Sequence, residues 1–405
     1  MTAAEVIACC RRLAQCSEEI GATTRTFLCE PMRDVHAALG EAMRRAGMTV
    51  RVDAAGNLRG VYPAAGETVR RVLIGSHLDT VRHAGAFDGV LGVVLGIAVV
   101  SRLGGRRLPV AVEVLGFSEE EGVRFGVPFI GSRAVAGTLD PVLLERTDPY
   151  GARVRDAITS YGLDTNKLHD AVLGDDALAY LEMHIEQGPV LDRLNLPLGI
   201  VDAIVGQSRL AVTFTGAANH AGTTPMDQRR DALTGAAEWI GRVERVGQEV
   251  AGLVATVGTL NVDPGAANVI PGACTATLDI RHVDDRVRNS AVTTCIDAAR
   301  QIGAVRRLDV EVDVRLEQPA VPMDPELRTH LEAAVAETGY PVYGLSSGAG
   351  HDAMIMAERV PASMLFIRTP GGLSHHRGET VREHDVDAAL RVGSAFLQRI
   401  ALATP

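Results

Sequence analysis

Hydrophobic and polar positions follow two different periods along this chain, and the changes of period mark its elements. Residues 1–48 read as mostly helical. Val72-Leu73-Ile74 is a short apolar run of the kind a buried strand makes, and the chain leaves it through Gly75-Ser76-His77. Val90 to Val100 is apolar throughout and reads as a buried helix. Val110 to Phe117 predicts another apolar strand, running directly into Ser118-Glu119-Glu120-Glu121. Leu181, Met183 and Ile185 then alternate with Glu182, His184 and Glu186, the period of two that marks a strand with one polar face. Strands interleaved with helices predict an α/β sheet whose functional groups stand at strand ends and in the loops that follow them.

The texture changes near residue 206. Leu210, Val212 and Phe214 alternate with Ala211, Thr213 and Thr215, predicting a strand. A helix over 229–247, strands near 254–262 and 273–283, a helix over 284–302 and a strand near 307–315 follow. The order β-α-β-β-α-β is the ferredoxin-like pattern, here inserted into the first domain. The chain then returns through a helix at 324–338, a strand at Ala362–Arg368 and a C-terminal helix. The expected domains are therefore 1–206 together with 320–405, and 207–319 between them.

Composition narrows the partners. The 405 residues suit two domains, and 46% apolar with 22% charged residues is ordinary globular chemistry. A net charge of −10 argues against nucleic acid, which needs a basic surface. The run Val90–Val100 is too short for a bilayer, which takes about 20 residues, so no membrane partner is expected. The six cysteines, at 9, 10, 16, 29, 274 and 295, show no CxxC spacing and no disulfide framework, which favours a cytoplasmic location. Lys167 is the only lysine, a bias of composition.

Several polar groups stand where the pattern expects strand ends. In His77-Leu78-Asp79 one intervening residue puts both side chains on one side of an extended segment, and an Asp beside a ligating His can orient it. Asp88, in Phe87-Asp88-Gly89, opens the buried helix; it is either a helix cap or a carboxylate able to bridge two cations. Glu119-Glu120-Glu121 is either a solvated loop or a group in which one carboxylate binds metal and its neighbour acts as general base. His184 lies on the polar face of its strand, and His375 sits in the loop Gly371-Gly372-Leu373-Ser374-His375-His376. Singly, each has an ordinary structural explanation. Together, His77, Asp88, Glu121, His184 and His375 make a nitrogen and oxygen donor set without thiolate, suited to Zn²⁺, Mn²⁺, Co²⁺ or Ni²⁺. Gly348-Ala349-Gly350 has no following Walker lysine, and Gly206-Gln207-Ser208-Arg209-Leu210 lacks the second glycine of a nucleophile elbow.

From about residue 5 to 400 the chain resembles the carbamoylase and allantoate amidohydrolase branch of the aminoacylase/carboxypeptidase clan of dinuclear zinc hydrolases. The matching stretches are Gly-Ser-His-Leu-Asp-Thr-Val (75–81), Phe-Asp-Gly (87–89), Glu-Glu-Glu-Gly-Val-Arg-Phe (119–125) and His-Ile-Glu-Gln-Gly-Pro (184–189). Others are His-Ala-Gly-Thr-Thr-Pro-Met (220–226), Asn-Val-Ile-Pro-Gly (268–272), Ser-Gly-Ala-Gly-His-Asp-Ala (347–353) and Gly-Leu-Ser-His (372–375). Ala84-Gly85 departs slightly, since relatives often carry Gly-Gly there.

The resemblance implies a mixed-sheet metallohydrolase catalytic domain, an inserted ferredoxin-like α+β lid or dimerisation domain, and two divalent metal ions per subunit. His77 and His184 would hold one metal, Glu121 and His375 the other, and Asp88 would bridge them. Glu120 would be the general base, with Asp79 beside it and His220 stabilising an oxyanion. Gln187, His220, Asn268 and Arg281 match substrate-contact positions, Arg281 for a carboxylate. A carboxylate replaces His184 in dipeptidase relatives, so His184 points to ureido substrates. Ala203–Gln207, residues 220–226 and Asp279–His282 place allantoate first and N-carbamoyl-L-amino acids second. A dipeptidase, or a metal-binding relative without catalysis, is the remaining alternative. The resemblance also implies a homodimer in which His220 serves the partner's active site.

Overall fold

The computed structural model describes residues 1–66 and 70–403. The chain divides into two compact units, Met1–Asp202 with Met323–Pro405, and Ala203–Pro322.

The first unit carries eight strands. In chain order they and their helices are α1 (Ala3–Leu13), α2 (Glu30–Arg45), β1 (Thr49–Val52), β2 (Leu58–Tyr62), β3 (Arg71–His77), α3 (Val90–Ser101), β4 (Ala111–Phe117), α4 (Ile130–Ala136), α5 (Val154–Ser160), β5 (Ala177–Ile185), α6 (Val190–Leu194) and β6 (Leu198–Ile204). The second unit carries β7 (Gly206–Thr215), β8 (Asn219–His220), α7 (Ala232–Glu249), β9 (Val254–Asp263), β10 (Val269–Ile270), β11 (Ala273–His282), α8 (Asp285–Arg306), β12 (Asp309–Gln318) and β13 (Val321–Pro322). The chain returns through α9 (Pro325–Glu337), β14 (Gly344–Ser347), α10 (Asp352–Met356), β15 (Ala362–Ile367) and α11 (Glu383–Ala403).

The large sheet runs β1-β2-β4-β3-β5-β15-β6, with β14 beside β6 and β13 on the end of β6. Its four central strands, β4, β3, β5 and β15, are mutually parallel, while β2 and β6 pair antiparallel at the flanks. Parallel strands are covered on both faces and so are apolar without alternation; all seven residues of β4 are buried. The crossover helix α3 is buried along its whole length from Val90 to Val100, as its uninterrupted apolar run requires. Helix starts follow short polar side chains. Thr2 and Glu5 form a reciprocal capping box on α1, and Asp231, Asp284 and Asp324 accept backbone N–H groups at the starts of α7, α8 and α9.

In the second unit the sheet order is β12-β7-β11-β9, all antiparallel neighbours, with α7 and α8 on one face. The helices cover Leu210, Val212 and Phe214 of β7 and Cys274, Ala276, Leu278 and Ile280 of β11. Trp239 is wholly buried there and its indole N–H donates to the Cys295 carbonyl at 2.8 Å, tying α7 to α8. The alternate residues of β11, among them Asp279 and Arg281, lie on the opposite face and are half-buried.

One local reading of the pattern is corrected. β3 does not end at Ile74: its ladder with β4 continues to the pair His77 and Phe117. β5 has the expected polar face, and that face is enclosed: Glu182 and His184 are as buried as Leu181 and Met183. Among the described residues, no helix is long and apolar enough to cross a membrane.

Candidate metal centre and active site

Four neighbouring parallel strands end together, and each delivers chemistry at or just beyond its carboxyl end. His77 is the last residue of β3, Glu119–Glu121 follow β4, His184 is the penultimate residue of β5, and His375 lies in the loop after β15. Asp88 precedes α3, the crossover between β3 and β4. Its neighbour Gly89 has φ +65°, and a Cβ there would lie 2.4 Å from the His77 ring, so only glycine lets this loop close over the histidine.

Donor atoms gather in groups that share members: His77, Asp88 and His184; Asp88, Glu121 and His375; and His77, Glu120 and Glu121. His184 Nε2 is 3.4 Å from Asp88 Oδ1, and His375 Nε2 is 3.2 Å from Asp88 Oδ2. Asp88 thus presents one oxygen to each group. His375 Nε2 is also 3.5 Å from Glu121 Oε1.

The two buried imidazoles supply the sharpest test of whether a cation fits. His77 Nδ1 is 3.0 Å from the Asp79 carbonyl, and His184 Nδ1 is 2.9 Å from the Ile185 carbonyl. Each contact assigns the ring hydrogen to Nδ1 and leaves Nε2 with a bare lone pair. Those two Nε2 atoms face each other at 3.3 Å. Two lone pairs so placed repel unless a proton or a cation lies between them, and about 3.3 Å is the spacing of two nitrogens each about 2.0 Å from one tetrahedral ion.

Electrostatics agree. Burial pushes Glu120 well above the usual carboxylate range, helped by the charge of Glu121. Burial and Asp88 push Glu121 up to about 7. Burial, with help from Asp79, also raises Glu119, whose two oxygens have no hydrogen-bond partner among the described residues. His184 is lowered to about 4, mainly by burial, and so stays neutral as a ligand must. Burial also opposes charge on His77, but Asp79, Glu120 and Asp88 outweigh it and raise its proton affinity, which is also how they would favour a metal ion. His375 is raised to about 8 by its contact with Asp88.

Asp79 takes a different post from the one its spacing suggests. Its carboxylate is 3.6 Å from His77 Nδ1, farther than its own backbone carbonyl. The two carboxylate oxygens instead accept the backbone N–H groups of Glu120 at 2.9 Å and Glu121 at 3.0 Å. Asp79 therefore fixes the main chain from which both glutamates project. Gln187, with φ +59°, donates through Nε2 to both oxygens of Asp88 at 3.1 and 3.3 Å.

The remaining sequence candidates lie in the second unit. His220 is exposed in β8, opposite Val269, and Ala221 N–H donates to the Asn268 carbonyl, so His220 and Asn268 are neighbours. Arg281 Nε and Nη2 lie on Asp279 at 2.8 and 3.1 Å. Asp279 also accepts from Gln207 and from Arg209. Asp279 thus holds two guanidinium groups, those of Arg209 and Arg281, on the face of the sheet away from the helices.

A model of peptidase family M20/M25/M40 matches residues 73–402. The chain belongs to this family. Among family M20 relatives, a probable allantoate deiminase of Oryza sativa subsp. japonica is 42% identical over 356 residues, 78% of this chain and 72% of that protein. An N-carbamoyl-L-amino acid amidohydrolase of Geobacillus stearothermophilus is 38% identical over 317 residues, 78% of each chain. A crystal structure of an amidase of the hydantoinase/carbamoylase family from Burkholderia multivorans superposes with a TM-score of 0.92 at 32% identity, over 98% of this chain and 97% of that one. This M20 member is accordingly an enzyme of the amidohydrolase class with a mixed α/β sheet.

Sequence reading missed several buried polar residues around the centre. Glu182 accepts Ser76 Oγ, Tyr180 OH and Ala353 N–H, and the His351 ring packs edge-on against His184 at 4.6 Å. His351 lies in the quoted stretch 347–353 and Glu182 on the polar face of β5, so both were visible as residues without a role.

Proposed function

We propose that this enzyme hydrolyses a C–N bond of a small ureido compound carrying a carboxylate, allantoate first, releasing ammonia and carbon dioxide. The observation that carries the reading is the pair of facing Nε2 atoms of His77 and His184 beside an Asp88 shared with His375. It is supported by the allantoate deiminase relative at 42% identity. N-carbamoyl-L-amino acids are the second reading, supported by the name of the Geobacillus relative and of the Burkholderia amidase.

His77, His184 and Asp88 would hold one divalent cation, and Asp88, Glu121 and His375 the other; Zn or Mn fits this donor set, as do Co and Ni. Bound there, two cations supply acidification of water and polarisation of a carbonyl. Glu120 is left over, and is buried with its proton affinity raised, the state required of a base that takes a proton from water and hands it to departing ammonia. His220, Asn268 and Gln187 would contact the ureido group. His220 would come from the partner subunit of a homodimer, for which a single species of twice the chain mass in sedimentation is the expected result. The location is cytoplasmic on this reading, in keeping with six free thiols.

Ammonia release by Mn²⁺-loaded enzyme, compared across allantoate, ureidoglycolate, N-carbamoyl amino acids, N-carbamoyl-β-alanine and dipeptides, tests the proposal. The highest kcat/KM is expected on allantoate. Preference for an N-carbamoyl-L-amino acid selects the second reading, and turnover of dipeptides alone sinks both.

Arg281 would read the substrate carboxylate, held ready by Asp279. Arg281→Lys should lower kcat/KM by about ten- to a hundredfold, the worth of a hydrogen bond to a charged group, because a point charge does not replace a planar fork. The loss should shrink on a ureido analogue without a carboxylate. Equal losses on both would remove Arg281 from this role.

A further inference from the structure

Outside the ligand set, one buried acid grips two ligand loops at once. Glu379 is 5% exposed although it ends a polar run, His375-His376-Arg377-Gly378-Glu379. Its Oε1 accepts the backbone N–H of Phe87 at 2.9 Å and of Asp88 at 3.1 Å. Its Oε2 is 3.4 Å from Ser374 Oγ, the residue before His375. Its own N–H donates to the His376 carbonyl at 2.9 Å, closing the turn that directly follows His375. The fit from the other side is tight. A Cβ on Gly85 would lie 2.4 Å from Glu379 Cβ and 2.5 Å from Oε1, so the loop leading to Asp88 wraps this carboxylate at a distance only glycine allows.

Asp88 and His375 come from loops far apart in sequence, yet their Oδ2 and Nε2 stand 3.2 Å apart. Placing a second carboxylate next to Asp88 is electrostatically unfavourable, so an acid is a poor choice merely to fill this space. What an acid does well is accept two converging N–H groups with one oxygen while the other meets a hydroxyl.

We propose that Glu379 is a positioning residue for the metal pair: it locks the Phe87–Asp88 backbone to the Ser374–His375 turn and so sets the orientation in which Asp88 is shared between two ions. This rests on the dinuclear reading above. Groups that orient ligands commonly change metal affinity by about ten- to a hundredfold when removed.

The test is a Zn²⁺ titration of metal-free protein against a chromophoric chelator, alongside thermal melts, for wild type, E379A, E379Q and G85A. Wild type should take up two equivalents. E379A should keep one and bind the other about ten- to a hundredfold more weakly. E379Q keeps an oxygen able to accept both N–H groups, and should hold both ions within about threefold of wild type, a conservative rescue. G85A, which displaces Glu379 without altering it, should behave like E379A, and it carries the test alone if E379A does not fold. A merely structural residue would lower the melting temperature of E379A and leave both affinities of the folded protein intact; that result, or intact affinities in G85A, overturns the inference. Uptake of fewer than two equivalents by wild type overturns the dinuclear reading itself, and this inference with it.

Discussion

Glu120→Gln should abolish most turnover while leaving both metal ions in place. The amide has the shape of the acid but takes no proton, and removal of a general base costs on the order of 10²–10⁴ in kcat. The structure separates the three glutamates. Glu121 lies against His375 and within reach of Asp88, while Glu119 is wholly enclosed. Glu120 shares a donor group with His77 and Glu121 but makes no contact with Asp88 or His375 like those that define the shared pair. A neutral amide also relieves the repulsion from Glu121 that raises Glu120, so the metal-free variant should melt no lower than wild type. Steady-state rates with metal analysis of the same sample check this. Near-normal kcat would clear Glu120 of the role of base, and loss of one metal would make it a ligand.

Removing metal should stop turnover completely, and two equivalents per chain should restore it. The larger signature is in stability. Burial and Asp88 raise Glu121 to about 7, and His375 is raised to about 8 by Asp88. Each binds protons more tightly folded than unfolded. Their contribution is therefore fully present below the unfolded pKa and is lost as pH rises through the folded one. Neutral burial of His184, lowered to about 4, acts with the opposite sign below about pH 6.5, so metal-free protein should melt progressively lower between roughly pH 6.5 and 8. Bound cations replace the missing protons, so the gap in melting temperature between loaded and metal-free protein should widen with pH. A gap that stays constant or narrows over that window would contradict the assignment of Glu121 and His375 to a cation site.

How far the sequence discloses this molecule depends on what a pattern can encode. Apolar periodicity reports burial, so α3, β4 and the succession from β7 to β12 fall within a few residues of their expected places. The hairpin of β1 and β2 and the short helices between Ile130 and Ser160 were not legible, being too brief to establish a period. The polar face of β5 is legible in the alternation, but its complete burial is not: Glu182 and His184 line an enclosed interior. The ligand candidates were individually ambiguous, and only their resemblance to a family grouped them. The spacing of Asp79 sets its side chain beside His77, whereas its carboxylate serves backbone amides 41 and 42 residues away, which no spacing reveals. Glu379 stands in an ordinary polar run, because a tertiary contact, not a motif, gives it a task.

The two halves of the centre are mounted differently. His77 and His184 stand on neighbouring parallel strands with side chains only 2% and 1% exposed. His375 projects from a turn at φ +54° with its side chain 49% exposed. An ion on the strand pair would sit among buried side chains on rigid backbone and should exchange slowly with free ions. An ion on the loop side needs only a turn to swing aside, and should trade with free ions during the working life of the enzyme. Isotopically labelled metal should then enter one position quickly and the other slowly. In a cell, the first occupant would record what was abundant when the chain folded, and the second what is abundant now.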